Sequence, residues 1–131
     1  MTAAPAALAE IPTATYVAAA NRGRSRTVLL VSPDASQRER LRLALTGLRW
    51  QVLEAPAGAD AWMAAESAGM LEAMLVDPWL PDLEIGEFLA DFHRGFPQVD
   101  ILTTDGAAAR ESPRSPYRQE LLYALRRSQD G

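Results

Sequence analysis

The apolar residues of this chain are grouped into short runs, and polar residues follow each run. Three runs, at 27–31, 72–77 and 99–103, are continuous and bounded by turn-forming residues. This pattern is typical of buried parallel strands. A fourth run, at 50–54, partly alternates between apolar and polar positions, which is typical of a strand at or near a sheet edge. The sequence therefore predicts four strands.

Between these runs, apolar residues recur at intervals of three and four positions, which predicts helices. The predicted helices span residues 35–46, 61–68, 85–94 and 117–128. In the first helix, Leu41, Leu45 and Leu48 form a stripe that faces the core, and Asp34 or Ser36 is expected to cap the N-terminus. Because strands and helices alternate, we predict an α/β domain with a parallel sheet.

Several large side chains in these helices are expected in the core. Phe88 and Phe92 are four residues apart and lie on one face of the third helix. Trp62 and Met63, in the second helix, are expected in the core rather than in a ligand site. Gly95 marks the end of the third helix.

Polar side chains follow three of the predicted strands. Asp34 comes shortly after the first strand, Asp77 ends the third, and Asp105 follows the fourth. A strand interior would not tolerate an unpaired charge, so Asp77 is expected at the C-terminal end of its strand. In open α/β sheets this is the edge where ligands bind. We therefore expect these polar residues to converge on one crevice.

The composition removes several classes of chemistry. The 131 residues include no cysteine, which excludes disulfides and thiolate metal sites, and His93 is the single histidine. Every basic residue is arginine, so lysine-dependent chemistry is excluded as well. The net charge of -4 argues against direct nucleic-acid binding, and no apolar run reaches the roughly 20 residues of a membrane span. A hydrolase triad or a glycine-rich cofactor loop is not supported either.

The first 26 residues differ in composition from the rest of the chain. Residues 1–26 are rich in alanine and typical of a flexible tail, whereas residues 27–131 form the predicted domain. The tail has no basic start and Glu10 interrupts its apolar stretch, so we expect no secretory signal and a cytoplasmic protein. Residues 13–17 have strand-forming side chains, which offers the alternative of an added edge strand.

Several segments resemble one known family, the receiver domains of bacterial two-component response regulators. They are residues 27–45 (TVLLVSPDASQRERLRLAL), 74–89 (MLVDPWLPDLEIGEFL), 100–106 and 115–122. The most specific motif is Asp77 followed by Leu80-Pro81 and Gly86. The resemblance implies an open parallel sheet of the flavodoxin-like receiver fold, with strand order 2-1-3-4 and then a fifth strand.

The resemblance also implies a phosphoryl-transfer site. Asp77 matches the aspartate that accepts a phosphoryl group from a histidine kinase, and Thr103 matches the switch hydroxyl that reports the event. The backbone carbonyl of Trp79 matches a ligand of the magnesium ion that offsets the repulsion between carboxylate and phosphate. The candidate metal set is therefore Asp34, Asp77 and the Trp79 carbonyl.

Other positions depart from the family pattern. The acidic pair on the first strand falls on Ser32 and Pro33, and Asp34 comes one position late, where it is equally a helix cap. The lysine position falls on Ser115. We therefore expect an atypical receiver that needs no cofactor and does not run the usual phosphorylation cycle. The alternative is an active receiver that uses Mg²⁺ and is phosphorylated on Asp77.

The resemblance gives expectations for partners as well. An atypical receiver would not be an enzyme but an interaction module in transcription control, acting on a protein partner or a fused output domain. A histidine kinase is a further candidate partner, and a homodimer is expected. Neither direct nucleic-acid contact nor a membrane is expected.

The segment after the fourth strand is too short for a full receiver. A parallel crossover needs a dozen or more residues, and only residues 104–114 are available. We therefore predict that the fourth helix and most of the fifth strand are shortened or lost. The exposed edge of the fourth strand would then invite pairing, and residues 13–17 are a candidate to fill it.

Overall fold

The computed structural model describes residues 26–110 and 117–130. The elements of this part of the chain are β1 (Arg26–Val31), α1 (Ala35–Gly47), β2 (Trp50–Ala55), α2 (Gly58–Ala68), β3 (Ala73–Val76), α3 (Ile85–Gly95), β4 (Asp100–Thr103), β5 (Ala109–Arg110) and α4 (Arg118–Asp130). All the strands and helices predicted from the sequence are present, and their bounds differ by a few residues.

The strands form one sheet in the order β2-β1-β3-β4-β5. The first four strands are parallel, which confirms the predicted α/β fold and strand order. Strand β5 has two residues and pairs antiparallel to β4, with Ile101 opposite Arg110 and Leu102 opposite Ala109. Since only residues 104–108 separate β4 from β5, no crossover helix fits between them. The fifth strand is thus reduced, as the short segment predicts.

The sheet separates two hydrophobic layers, because alternate side chains of each strand point to opposite faces. On one face Leu29 and Met74 pack with residues of α2 and α3, including Phe88 and Phe92. On the other face, residues of β1 and β3 pack with Leu41 and the rest of α1, and with α4. The sheet is therefore covered by α2 and α3 on one side and by α1 and α4 on the other.

Helix α4 begins at the amino end of the sheet. Arg26, the first residue of β1, donates two hydrogen bonds to the Glu120 carboxylate at 2.9 and 2.7 Å and one to the carbonyl of Leu48, which caps the end of α1. Tyr117 packs edge-on against Trp50, the first residue of β2, with ring centroids 5.0 Å apart. The start of α4 therefore lies beside the end of α1.

The far end of α4 lies beside the middle of α1, where Arg127 and Ser128 share a groove with Arg40. The two helices are thus antiparallel. The family resemblance places a strand-to-helix junction at residues 115–122, at the carboxyl edge of the sheet. The structure differs because β5 runs antiparallel to β4, so the chain leaves β5 toward the amino edge.

Two other expectations have clear outcomes. Trp62 packs against Phe88, Phe92 and Phe96 as predicted, with centroid separations from 5.1 to 6.4 Å. The prediction for Met63 is wrong, because its side chain is 66% exposed on the outer surface of α2.

The proposed pairing of residues 13–17 and the position of Ser115 lie outside the described residues. Across the part that is described, no helix is long and apolar enough to cross a membrane.

Candidate functional site

The carboxyl ends of β1, β3 and β4 lie side by side. Val31 is level with Val76, and Val76 is level with Thr103. The ladder extends one residue further, since the N–H of Asp77 donates to the Val31 carbonyl at 2.7 Å and that of Thr104 to the Val76 carbonyl at 2.9 Å. The fold therefore brings the polar strand ends to one edge of the sheet.

Asp77 is the central carboxylate of this edge and is half-buried. Its Oδ1 accepts a hydrogen bond from the backbone N–H of Trp79 at 2.9 Å, and its Oδ2 lies 3.4 Å from the Ser32 hydroxyl. The Trp79 side chain is 83% exposed. Among the described residues, the backbone N–H of Trp79 is therefore the stronger hydrogen-bond donor to Asp77.

Ser32 occupies the position where the resemblance places an acidic metal ligand. It is 1% exposed, its hydroxyl donates to Gln37 Oε1 at 2.7 Å, and it accepts from the N–H of Asp34 at 3.1 Å. A hydroxyl has one proton, so donation to Gln37 leaves the longer contact with Asp77 without a donor. The end of β1 thus provides a neutral hydroxyl held by a neutral amide.

Asp34 is committed to the start of α1. Its Oδ1 accepts from the N–H groups of Ser36 at 2.9 Å and Gln37 at 3.3 Å, which is the geometry of an N-cap. This confirms the predicted cap. The pairing of Asp34 with Asp77 around a metal ion remains a prediction.

Arg38 is a residue of this edge that the sequence pattern did not single out. Its Nη1 donates to the Ser32 carbonyl at 2.6 Å and its Nε to Glu54 Oε1 at 3.0 Å, and its side chain is 19% exposed. A signal for this role is its position four residues after the N-cap, which returns its side chain to the end of β1. The Arg38 guanidinium is therefore bound to the backbone of Ser32, whose side chain lies beside Asp77.

Thr103 is 2% exposed and is engaged in the turn between β4 and β5. Its hydroxyl donates to Asp105 Oδ1 at 2.6 Å and accepts from the N–H of Ala108 at 3.0 Å. The Thr103 hydroxyl and the N–H of Ala107 stabilise the charged carboxylate, which lowers the pKa of Asp105. The switch role of Thr103 remains a prediction, and in this structure its hydroxyl is bound within the turn that leads to β5.

The loop after Asp77 is fixed to the neighbouring helix. The Asp82 carboxylate accepts from the N–H groups of Gly58 at 3.0 Å and Ala59 at 3.1 Å, at the start of α2. Both hydrogen bonds lower the pKa of Asp82, and the bond from Gly58 has the larger effect. Leu83 also lies over Gly58, where an added Cβ would meet Leu83 Cδ1 at 1.8 Å. Only glycine allows this close approach without displacing Leu83.

This edge offers fewer carboxylates for a magnesium ion than the resemblance implies. Mg²⁺ is usually bound through one or two carboxylates with phosphate and water oxygens. Here Ser32 contributes a hydroxyl, Pro33 has no side-chain donor, and Asp34 caps a helix. Within residues 26–110 and 117–130 there is no group of three or more His, Cys, Asp or Glu residues that could hold a metal. Among the described carboxylates at the carboxyl ends of β1 and β3, Asp77 is then the one that does not cap a helix.

No protein-family model matches this chain, and no curated protein sequence matches it. Solved structures do. A response regulator receiver domain protein from Bacillus halodurans matches with a TM-score of 0.61 and 21% identity, covering 80% of this chain and 97% of that chain. The response regulator TrrA from Thermotoga maritima, in complex with Mg²⁺ and BeF, matches with a TM-score of 0.55 and 20% identity, covering 76% and 80%.

An uncharacterized protein from Neptuniibacter caesariensis matches with a TM-score of 0.57 and 18% identity. This match covers 60% of the present chain and 57% of that protein, so the chain spans little more than half of its length. At these identities the likeness establishes the fold, and the chain has the fold of response-regulator receiver domains.

Proposed function

We propose that this chain is an atypical receiver domain of a bacterial two-component system, which acts as an interaction module without being phosphorylated. It would act in the cytoplasm on a protein partner or fused output domain that controls transcription, without touching nucleic acid itself. The proposal includes self-association of the module and no enzymatic activity of its own. The receiver fold supports it, since receiver domains interact with kinases and output domains.

The observation that carries the proposal is the neutral end of β1. Phosphoryl transfer to Asp77 would bring a group with several negative charges against a carboxylate, and this repulsion must be offset. The Ser32 hydroxyl is bound to Gln37 at 2.7 Å and the Asp34 carboxylate caps α1, so neither is free to hold a magnesium ion that would offset it. A transition state without a metal ion lacks several kcal/mol of stabilisation. We therefore expect this domain to use the receiver fold for binding a protein partner, without accepting a phosphoryl group.

The second candidate is an active receiver that is phosphorylated on Asp77 by a histidine kinase. It is favoured by the half-buried position of Asp77 at the end of β3, where the contact of its Oδ2 with the Ser32 hydroxyl is long, at 3.4 Å. In this case Mg²⁺ would be held by Asp77 and the Trp79 carbonyl, with Asp34 as the remaining candidate ligand. The reaction would require Asp34 to leave its helix cap.

Incubation with acetyl phosphate and Mg²⁺ distinguishes the two candidates. The proposal expects the intact mass of the protein to be unchanged, both in the natural sequence and in Asp77→Asn. A mass increase of one phosphoryl group that is absent in Asp77→Asn would establish the active receiver. The variant Ser32→Asp/Pro33→Asp restores the acidic pair, and a mass increase confined to it would show that the acidic pair is what the natural site lacks.

A further inference from the structure

The two helix layers carry opposite charge. Helices α1 and α4 contain six arginines and three acidic residues, whereas α2 and α3 contain one arginine and four acidic residues. The two layers lie on opposite faces of the sheet. One protomer therefore has a basic side and an acidic side.

A groove opens on the basic side between α1 and α4. It has a volume of about 250 Å³ and is lined by Arg40, Leu43, Ala44, Arg127 and Ser128. In the described parts of the chain, neither Arg40 nor Arg127 has a hydrogen-bond or ion-pair partner. The Leu43 side chain is 59% exposed. The groove thus presents two unpaired cations beside exposed apolar surface.

The outer face of α2 carries the complementary pattern. Within α2, Asp60, Met63 and Glu66 follow one another at intervals of three residues, so they lie on one side of the helix. Met70 follows just after the end of the helix. Both methionines are 66% exposed. The carboxylates of Asp60 and Glu66 are exposed and, among the residues that the structure describes, have no partner. They lie about 9 Å apart along the helix, which is six residues at about 1.5 Å each.

We propose that two copies associate head to tail, with the outer face of α2 from one copy in the α1/α4 groove of the next. Asp60 and Glu66 of one copy would pair with Arg40 and Arg127 of its neighbour, and Met63 would cover Leu43. Each surface presents charges that have no partner among the described residues, and their signs are complementary. This contact also removes exposed apolar side chains from water on both surfaces.

The contact is heterologous, because the two surfaces lie on opposite faces of the sheet. Such contacts continue into rings or open chains, unlike a two-fold dimer. The association therefore proceeds beyond two copies as the protein concentration rises. It depends on the charged and apolar side chains of these two surfaces and does not rest on whether Asp77 is phosphorylated.

Sedimentation velocity over a range of protein concentrations tests this proposal. At about 0.1 M salt, where the screening length is about 10 Å, we expect the average mass to rise past that of a dimer. At about 1 M salt, where the screening length is about 3 Å, we expect the association to weaken at least about tenfold.

Charge reversal identifies the surfaces. Arg40→Glu/Arg127→Glu and Asp60→Arg/Glu66→Arg should each be monomeric, because like charges then face each other. An equimolar mixture of the two should associate again, because both kinds of contact are attractive in it. The matched control Arg49→Glu/Arg126→Glu changes the net charge as much as the first variant but outside the groove, and should associate like the natural chain.

Three results would overturn the proposal. The first is a natural chain that remains monomeric at about 0.1 M salt, as when another protein or another segment of the chain fills the groove. The second is association that stops at a dimer. The third is a pair of charge-reversed variants that associate alone as the natural chain does, or fail to associate when mixed. Circular dichroism of each variant verifies that it is folded before the result is interpreted.

Discussion

Glu120 joins α4 to the amino end of the sheet, and its removal should have a large effect. Its carboxylate accepts two hydrogen bonds from Arg26 and one, at 3.0 Å, from the indole N–H of Trp50. The Arg26 guanidinium also stacks on the Trp50 ring, 4.6 Å from its centroid. The substitution Glu120→Ala removes all three hydrogen bonds and leaves the stacking in place.

The expected loss follows from the burial of each partner. Trp50 is 3% exposed, so its N–H would be left in the interior without an acceptor, at a cost of about 1–3 kcal/mol. The side chains of Arg26 and Glu120 are 21% and 36% exposed, so their ion pair contributes only about 1 kcal/mol. We expect Glu120→Ala to lower the free energy of unfolding by about 2–4 kcal/mol. Glu120→Gln, which keeps an acceptor for Trp50, should lose about 1 kcal/mol.

Urea denaturation followed by tryptophan fluorescence and by circular dichroism measures these changes. Gln119→Ala is the matched control, because the neighbouring Gln119 side chain is exposed on the same helix. The control should stay within about 0.5 kcal/mol of the natural chain. A Glu120→Ala variant that is equally unaffected would refute the docking of α4 at this end of the sheet, and with it the antiparallel arrangement of α1 and α4.

Three further predictions concern the carboxylates at the opposite edge. In urea denaturation, Asp34→Ala should lose about 1 kcal/mol of stability, whereas Asp34→Asn should lose little, because asparagine also caps helices. Equal losses in the two variants would argue against the cap. Asp82→Ala should lose about 1 kcal/mol, because Ala57 provides no side-chain cap for α2; an unchanged urea midpoint would show that the loop is not held by this contact. The hydroxyl of Thr103 lowers the pKa of Asp105 in the folded state. The Asp105 carboxylate therefore stabilises the fold above its unfolded pKa of about 3.9, and this stabilisation is lost as the pH falls through the folded pKa. Stability should therefore decline below about pH 4, and less steeply in Asp105→Asn; identical pH profiles would contradict the assignment.

The strands could be predicted because each is a short apolar run with a clear boundary. The convergence of the polar strand ends at one edge follows from a parallel sheet, and the observed register then places Asp77 level with Ser32. The cap at Asp34 was also predictable, since an aspartate just before a helical pattern has a local reason to be there. The strand runs and the helix cap depend on residues that are close in sequence.

The direction of α4 could not be predicted, because it depends on contacts between residues far apart in sequence. Arg26 and Glu120 are separated by 94 positions, and nothing local to either indicates the other. The antiparallel pairing of β5 likewise arises from a turn that Thr103 and Asp105 stabilise, and two residues of strand give no periodic signal. Arg38 was not singled out from the sequence because arginines on a helix usually face solvent, whereas the length of this side chain lets it reach the Ser32 carbonyl.

Met63 shows a different limit of the sequence pattern. An apolar residue beside Trp62 was expected in the core, but successive residues on a helix point about 100° apart, and Trp62 takes the inward direction. The exposure of Met63 is then a property of the outer surface, where Asp60 and Glu66 flank it. The residue whose burial was wrongly predicted, Met63, thus lies on the surface that the head-to-tail contact would use.

Magnesium titration tests the central claim that the acidic edge of a receiver has been replaced by neutral donors. Trp79 is a suitable reporter, because it is 83% exposed and its N–H is bound to Asp77. We predict that tryptophan fluorescence shows no saturable change up to millimolar Mg²⁺, and that Ser32→Asp/Pro33→Asp gains one. A saturable change in the natural chain that disappears in Asp77→Asn would contradict the account.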